Sequence, residues 1–398
     1  MPHKIIQTES TRQAASDATE GAETFTKCFS EVMLNAHEAY ERLKKNGHVF
    51  NGIPVVEMVA NANDESFEFT DPFEGIGEST EDFDRIFKKK SARQQTHTGT
   101  SRSMMGRGLS DVLTRNRTAN YHSILYSKRN GVKLGYKIEW VPIPNKPNER
   151  QKEFNSCHDT AEEKAEIDKK ILTSSGTYVK FFWKSSKEDA PFPPKETLKK
   201  HLHCYHELRN ILNDPGIKFV LKYIPKSAST TTEELGFFNP KYNKVASFPG
   251  PIPLKFKLAS GLKRSDYKID ILNFEVFESD QMLNMNDDEL RTQGIYIQGE
   301  PESGFTPSIY TLTFFGLEGT FPSSSKTMFA TMTLSKDAKE YIMDCYDVSK
   351  PVFSKTREGF RKDTAFYRAL HKEVKNRVVP LLQKSSSSRF EESDDTTK

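Results

Sequence analysis

Residues 24–45 constrain this chain more than any other stretch. Phe25, Phe29, Val32, Met33, Ala36, Tyr40 and Leu43 recur at three- and four-residue steps, the spacing of one buried helix face. Gly47 follows as an end signal. Glu31, Asn35 and Glu38 fall at i, i+4 and i+7, so they share one stripe of that helix. A carboxylate and an amide so close to a buried face need partners. Mg²⁺ with a phosphate supplies them, because Mg²⁺ takes oxygen ligands and a carboxylate can polarise an attacking water. Taken alone, the stripe is read more simply as a helix with one buried, hydrogen-bonded Asn.

Two later stretches reverse that balance. Phe69-Thr70-Asp71-Pro72-Phe73-Glu74-Gly75-Ile76-Gly77 reads as a strand end delivering Asp71 to a glycine-containing loop. Met104-Met105-Gly106-Arg107-Gly108-Leu109-Ser110-Asp111-Val112 reads as a short glycine pair opening a helix. In this order and at these distances, the three stretches resemble the motifs of the GHKL ATPases. That superfamily includes the gyrase B subunit, heat-shock chaperone ATPases, histidine kinases, MutL and MORC proteins. The style is nearest to the clamp ATPases of the MORC and chaperone branches. The resemblance implies an α+β chain: a two-layer α/β sandwich ATPase domain of the Bergerat type, followed by an α+β transducer-like domain. It implies ATP as substrate and Mg²⁺ as cofactor. Asn35 would ligate the ion, Glu31 would orient or deprotonate the attacking water, and Glu38 would lie beside them. Asp71 would read adenine, with Gly75, Ile76 and Gly77 closing on the base. Gly106, Arg107, Gly108 and Leu109 would hold phosphates through backbone N–H groups.

One position departs from the family pattern. Phe73 stands where the family has its first glycine, and a ring there can stack on the base or narrow the pocket. Asp71 read without the family is an Asp that starts an Asx-turn before Pro72.

Composition sets the class. At 398 residues the chain can form two domains with cores of their own. Charged residues make up 28% and hydrophobic residues 35%, as in soluble globular proteins. A net charge of +3 makes no case for nucleic acid or membrane as a partner. Cys28, Cys157, Cys204 and Cys345 are scattered without a CxxC pair, which suits reduced thiols in a cytoplasmic protein, or a nuclear one if the source is eukaryotic. There is neither an N-terminal apolar leader nor an apolar run of membrane-spanning length.

Along the chain, residues 1–20 are expected to be a flexible arm and 21–185 the ATP-binding domain. Strands are expected at 54–60 and 66–70, a short helix at 81–87, then a basic, Ser/Thr-rich stretch to 103 in the place of an ATP lid. Strands at 121–127 and 132–141 meet at Arg129-Asn130-Gly131. Residues 143–170 read as a surface insertion. Gly176-Thr177 opens the next apolar strand and resembles the fourth GHKL element, whose Thr closes the adenine pocket; many strands also begin this way.

A boundary is expected within 183–195, where Pro and Ser gather, with the transducer-like domain at 190–383. A helix at 195–212 is followed by strands at 217–224, 267–277, 294–298, 309–315 and 327–334, and by helices at 336–345 and 364–382. Residues 384–398 read as a disordered polar tail. Phe353-Ser354-Lys355-Thr356-Arg357-Glu358 precedes the last helix. By resemblance Arg357 is the candidate γ-phosphate sensor, with Lys355 as runner-up; alone, Arg357 reads equally as a surface residue.

These expectations describe a slow ATP hydrolase in which lid closure and ATP-dependent homodimerisation act as a clamp. Its object, whether DNA, a client protein or a defence-type complex, is left open, and no membrane is involved. The rival is a non-hydrolysing nucleotide-binding scaffold subunit, which Phe73 favours and Glu31 opposes. A histidine kinase is disfavoured, since too few residues precede the first motif to hold a phospho-accepting helix pair.

Overall fold

The computed structural model of the chain describes residues 4–7, 24–77, 108–113, 122–143, 145–183, 191–205, 208–237, 242–279, 294–299, 309–310, 328–352 and 360–394. They form two compact units, the first reaching Phe237 and the second covering most of Phe238–Lys398.

The first unit is built on one helix and one sheet. Helix α1 (Phe25–Lys45) starts at Thr24, whose hydroxyl accepts from Lys27 N at 3.1 Å. It carries Arg42, Lys44 and Lys45 in its last turn, where cations suit the helix dipole. The sheet contains β1 (Lys4–Gln7), β2 (Val55–Asn61), β3 (Ser66–Asp71), β4 (Ser123–Arg129), β5 (Val132–Ile143), β6 (Lys146–Ser156), β7 (Gly176–Phe182), β8 (Lys218–Ile224) and β9 (Thr231–Glu234). Their order is β1-β6-β5-β4-β7-β3-β2-β8-β9, antiparallel except where β8 runs parallel to β2.

Register decides which residues face α1. Phe67 pairs with Phe181, Phe69 with Val179, and Leu125 with Val179, so these apolar side chains share one face. Phe29 of α1 meets them edge-on, with ring centroids 4.8 Å from Phe67 and 4.7 Å from Phe69. Helix α2 (Gly108–Leu113) packs against α1 and against β4 and β7, burying Val112 and Leu113. Sheet and helices thus make a two-layer α/β sandwich.

The opposite face is also partly covered. Helix α3 (Ala161–Lys170) sets Ile167, with Ile171 just beyond its end, against Tyr126, Tyr178 and Cys157. It begins with a capping box in which Thr160 accepts from Glu163 N and Glu163 accepts from Thr160 N. Beside it, Lys170 and Lys180 lie 3.0 and 3.2 Å from Glu68. Burial works to raise the Glu68 pKa, but the two ammonium groups outweigh it and hold the carboxyl below its ordinary range.

The second unit has a five-stranded sheet ordered β10 (Tyr242–Pro253), β11 (Asp270–Ser279), β14 (Met328–Leu334), β12 (Gly294–Gly299) and β13 (Ile309–Tyr310). Helix α6 (Lys336–Asp347) and helix α7 (Ala365–Asp394) meet through Tyr341 and Phe366, 5.9 Å apart, with Phe256 5.4 Å from Tyr341 and Phe360 5.2 Å from Phe366.

The structure departs from the sequence expectations in several places, among them the unexpected strands β9 and β10. Residues 4–7 of the expected arm are an edge strand on β6. The expected insertion at 143–170 is β6 and α3; its polar composition belongs to one sheet strand and a half-exposed helix. The helix expected at 195–212 is two helices, α4 (Lys195–Cys204) and α5 (Arg209–Leu212). The domain boundary lies near 237, not within 183–195, because β8 pairs in parallel with β2 and extends the first sheet. Helix α7 continues through Asp394 rather than ending at 382, since the Ser-rich stretch lowers helix propensity without a glycine or a proline after Pro380 to stop it.

Phe29→Ala is expected to cost about 3–5 kcal/mol in urea unfolding. A loss below about 1 kcal/mol would mean that the α1–sheet contact is not the centre of this core.

Candidate functional site

Three strand termini converge where β3 ends. Asp71 is the last residue of β3 and pairs in register with Thr177 of β7. The Phe73 amide donates to Asp71 Oδ1 at 3.0 Å, so the Asx-turn expected before Pro72 is present. Burial pushes the Asp71 carboxyl up to about 7 from its ordinary 3.8; hydrogen bonds from the Phe73 amide and from the Thr177 hydroxyl and amide, with the charge of Arg42, work against it. Asp71 therefore titrates near neutrality, with the Thr177 hydroxyl beside it.

The loop after Asp71 is pressed against the neighbouring strands. A Cβ on Gly75 would stand 2.2 Å from the Lys128 carbonyl oxygen and 2.9 Å from that of Gly176, and Gly75 has φ +65°. No other residue fits. A Cβ on Gly176 would likewise lie 2.4 Å from the Asp71 carbonyl oxygen. The demand for glycine at 75 thus comes from the fold's own backbone crossing, whatever lies against the loop. Next to it, Ser127 grips Ile76 at both ends: its hydroxyl accepts from Ile76 N at 2.5 Å and donates to Ile76 O at 3.2 Å. Ser127 is buried.

Helix α1 is tied to this loop by two contacts. Arg42 Nε and Nη2 each lie 3.2 Å from Glu74 Oε2. Tyr40 and Phe50 surround the Phe73 ring at 5.9 and 6.0 Å. Phe73 is 1% exposed, so its ring belongs to the core and neither stacks on nor narrows an open pocket. That corrects the sequence expectation; the alternating burial along β2 and β3 gave no signal for an aromatic cluster formed with a loop residue.

On α1 the stripe is arranged as its spacing requires. Glu31 and Asn35 are half-buried and Glu38 is buried. Lys27, itself buried, places its ammonium 3.9 Å from the Glu31 carboxylate. Leu109 is half-buried in α2, which opens at Gly108. Asp71, Gly75, Ile76 and Thr177 are therefore brought together; Glu31, Asn35 and Glu38 share the helix packed on that sheet, and Gly77 closes the described loop. Gly106, Arg107, Lys355, Arg357 and the lid stretch lie outside the described residues. Sequence reasoning missed Ser127 and Arg42; a Ser in a strand and an Arg in a last helical turn carry no local mark of a partner distant in the chain.

The donors on α1 suit a hard cation: an amide oxygen and two carboxylates on one stripe are oxygen ligands of the kind Mg²⁺ takes. No helix among the described residues is long and apolar enough to cross a membrane.

Neither a family model nor a curated protein matches the chain. Among solved structures, the N-terminal domain of a DNA repair protein superposes with a TM-score of 0.46 and 12% identity, over 94% of this chain and 98% of that one. A likeness at that level assigns nothing, so function is argued from this chain's residues alone.

Two outcomes test the site. Because folded Asp71 keeps a proton that the unfolded chain has released, the Asp71 contribution to stability should fall as pH rises from about 4 to about 7 and level off above. The difference between wild-type and Asp71→Asn denaturant midpoints should show that slope across pH; parallel profiles would remove Asp71 from a desolvated site. Ser127→Ala should cost about 1–3 kcal/mol by leaving Ile76 without its partner, read by thermal unfolding; no cost would mean that the clamp is replaced by water.

Proposed function

We propose that the first unit binds Mg-ATP as GHKL ATPases do and hydrolyses it. The observation that carries this is the Asp71–Thr177 pair at adjoining strand ends, closed by the loop that only Gly75 can form. A carboxylate with a hydroxyl beside it can accept from an exocyclic amine and donate to a ring nitrogen, the pattern presented by adenine. Desolvation strengthens both bonds.

The remaining roles follow from the α1 stripe. Asn35 would offer its amide oxygen to Mg²⁺, which when bound neutralises charge on the phosphates. Glu31 would orient the attacking water and accept its proton. The backbone from Gly106 to Leu109 would hold phosphate oxygens, and Arg357 would be the γ-phosphate sensor, both as the family resemblance implies. Most of the rate enhancement would come from positioning and charge stabilisation. Lid closure and ATP-dependent pairing of two chains would then form a clamp, on DNA or on a protein partner.

One contact favours a second reading. Lys27 places its ammonium 3.9 Å from the Glu31 carboxylate within α1, and an oxygen engaged there is turned from a water. In a non-hydrolysing scaffold the same pocket would hold nucleotide as a structural ligand. Phe73 no longer supports that rival, since its ring is in the core.

Steady-state phosphate release separates the two. Wild type should turn over Mg-ATP slowly, Glu31→Ala should abolish turnover while retaining nucleotide, and Asn35→Ala should lose Mg-ATP binding with the fold intact. Nucleotide binding without any turnover would select the scaffold. Unchanged binding in Asn35→Ala would remove Asn35 from the site.

A further inference from the structure

A second cluster lies on a different stripe of α1. His37 and Glu41 stand four residues apart, on one face of the helix, turned away from the stripe of Glu31, Asn35 and Glu38. Asp214, in the turn between α5 and β8, faces them. His37 Nε2 lies 2.9 Å from Asp214 Oδ2, and one ligand atom from each of the three residues falls within 4.8 Å of the others. We propose that His37, Glu41 and Asp214 form a site for a divalent transition metal such as Zn²⁺ or Co²⁺, independent of the nucleotide pocket.

The donor chemistry selects the class of ion. One imidazole and two carboxylates suit borderline metals, whereas Mg²⁺ and Ca²⁺ favour oxygen-only sites. The surroundings are pre-set for ligation. His37 is 3% exposed and cannot swing away. Asp214 Oδ1 is occupied by the Gly216 amide at 2.8 Å, which orients the carboxylate and leaves Oδ2 directed at His37, the kind of outer support that metal-binding carboxylates receive. A Cβ on Gly216 would meet the Tyr40 hydroxyl at 2.1 Å, so the turn packs closely against α1.

One cation competes. Lys44 Nζ is 3.7 Å from Glu41 Oε1. Its side chain is 59% exposed, so it can move into solvent when Glu41 turns toward a metal. Three protein ligands leave at least one position for water, and the ion would lock α1 to the turn that leads into the parallel strand β8.

The test is a Co²⁺ titration of the full chain without nucleotide, followed by visible absorption. One equivalent should bind with ligand-field bands and raise the melting temperature. Asp214→Asn keeps the acceptor for Gly216 N, and Glu41→Gln alters a half-exposed residue, so both should fold. Each should weaken Co²⁺ binding by about 100-fold or more. Absence of saturable one-to-one binding by wild type, or unchanged affinity in both variants, would overturn the proposal.

Discussion

Phe29 sets the geometry on which the rest of the first unit depends. Its ring sits edge-on to Phe67 and Phe69, and a helix seated by an aromatic side chain against two others has little freedom to rotate. That fixes the direction of every other side chain on α1. Glu31, Asn35 and Glu38 fall on one margin of the buried face, and His37 and Glu41 on another. A rotation of one residue would carry the first group into the core or out to solvent. The polar stripe and the apolar face are therefore one feature of the sequence, and the sheet reads both.

The sheet contributes the second constraint, at the end of β3. Here β3, β4 and β7 bring backbone atoms so close that Gly75 and Gly176 are the only residues the crossing accepts. The close approach leaves Asp71 desolvated, with Thr177 as its neighbour and a pKa pushed up to about 7. Ser127 then fastens the loop through both polar groups of Ile76. The polar groups of this corner are held by the fold itself, which is the pre-organisation that the proposed nucleotide site would need.

Much of this was legible in the sequence, and the omissions have physical causes. Helix α1 was readable because its apolar period, its N-terminal Thr24 and Gly47 all agree. Asp71 and Gly75 were readable because a strand ended in turn chemistry. Phe73 was misread, since nothing local tells a loop ring that Tyr40 and Phe50 will enclose it. The strand β6 and helix α3 were read as insertion because their composition is polar, although Phe154 and Ile167 are buried. The parallel pairing of β8 with β2 was hidden by distance along the chain, and this moved the domain boundary. Ser127, Arg42 and the His37–Asp214 contact are likewise pairings between remote segments, which no local pattern encodes.

Hydrogen–deuterium exchange with and without Mg-ATP tests the central claim most directly, since it reads the pocket whether or not hydrolysis occurs. Nucleotide should slow exchange in peptides covering residues 71–77 and 176–180, where the Ile76 and Thr177 amides lie, and in the middle of α1. Protection confined to other parts of the chain, or no change at saturating Mg-ATP, would contradict the assignment of the Asp71–Thr177 corner as the adenine site.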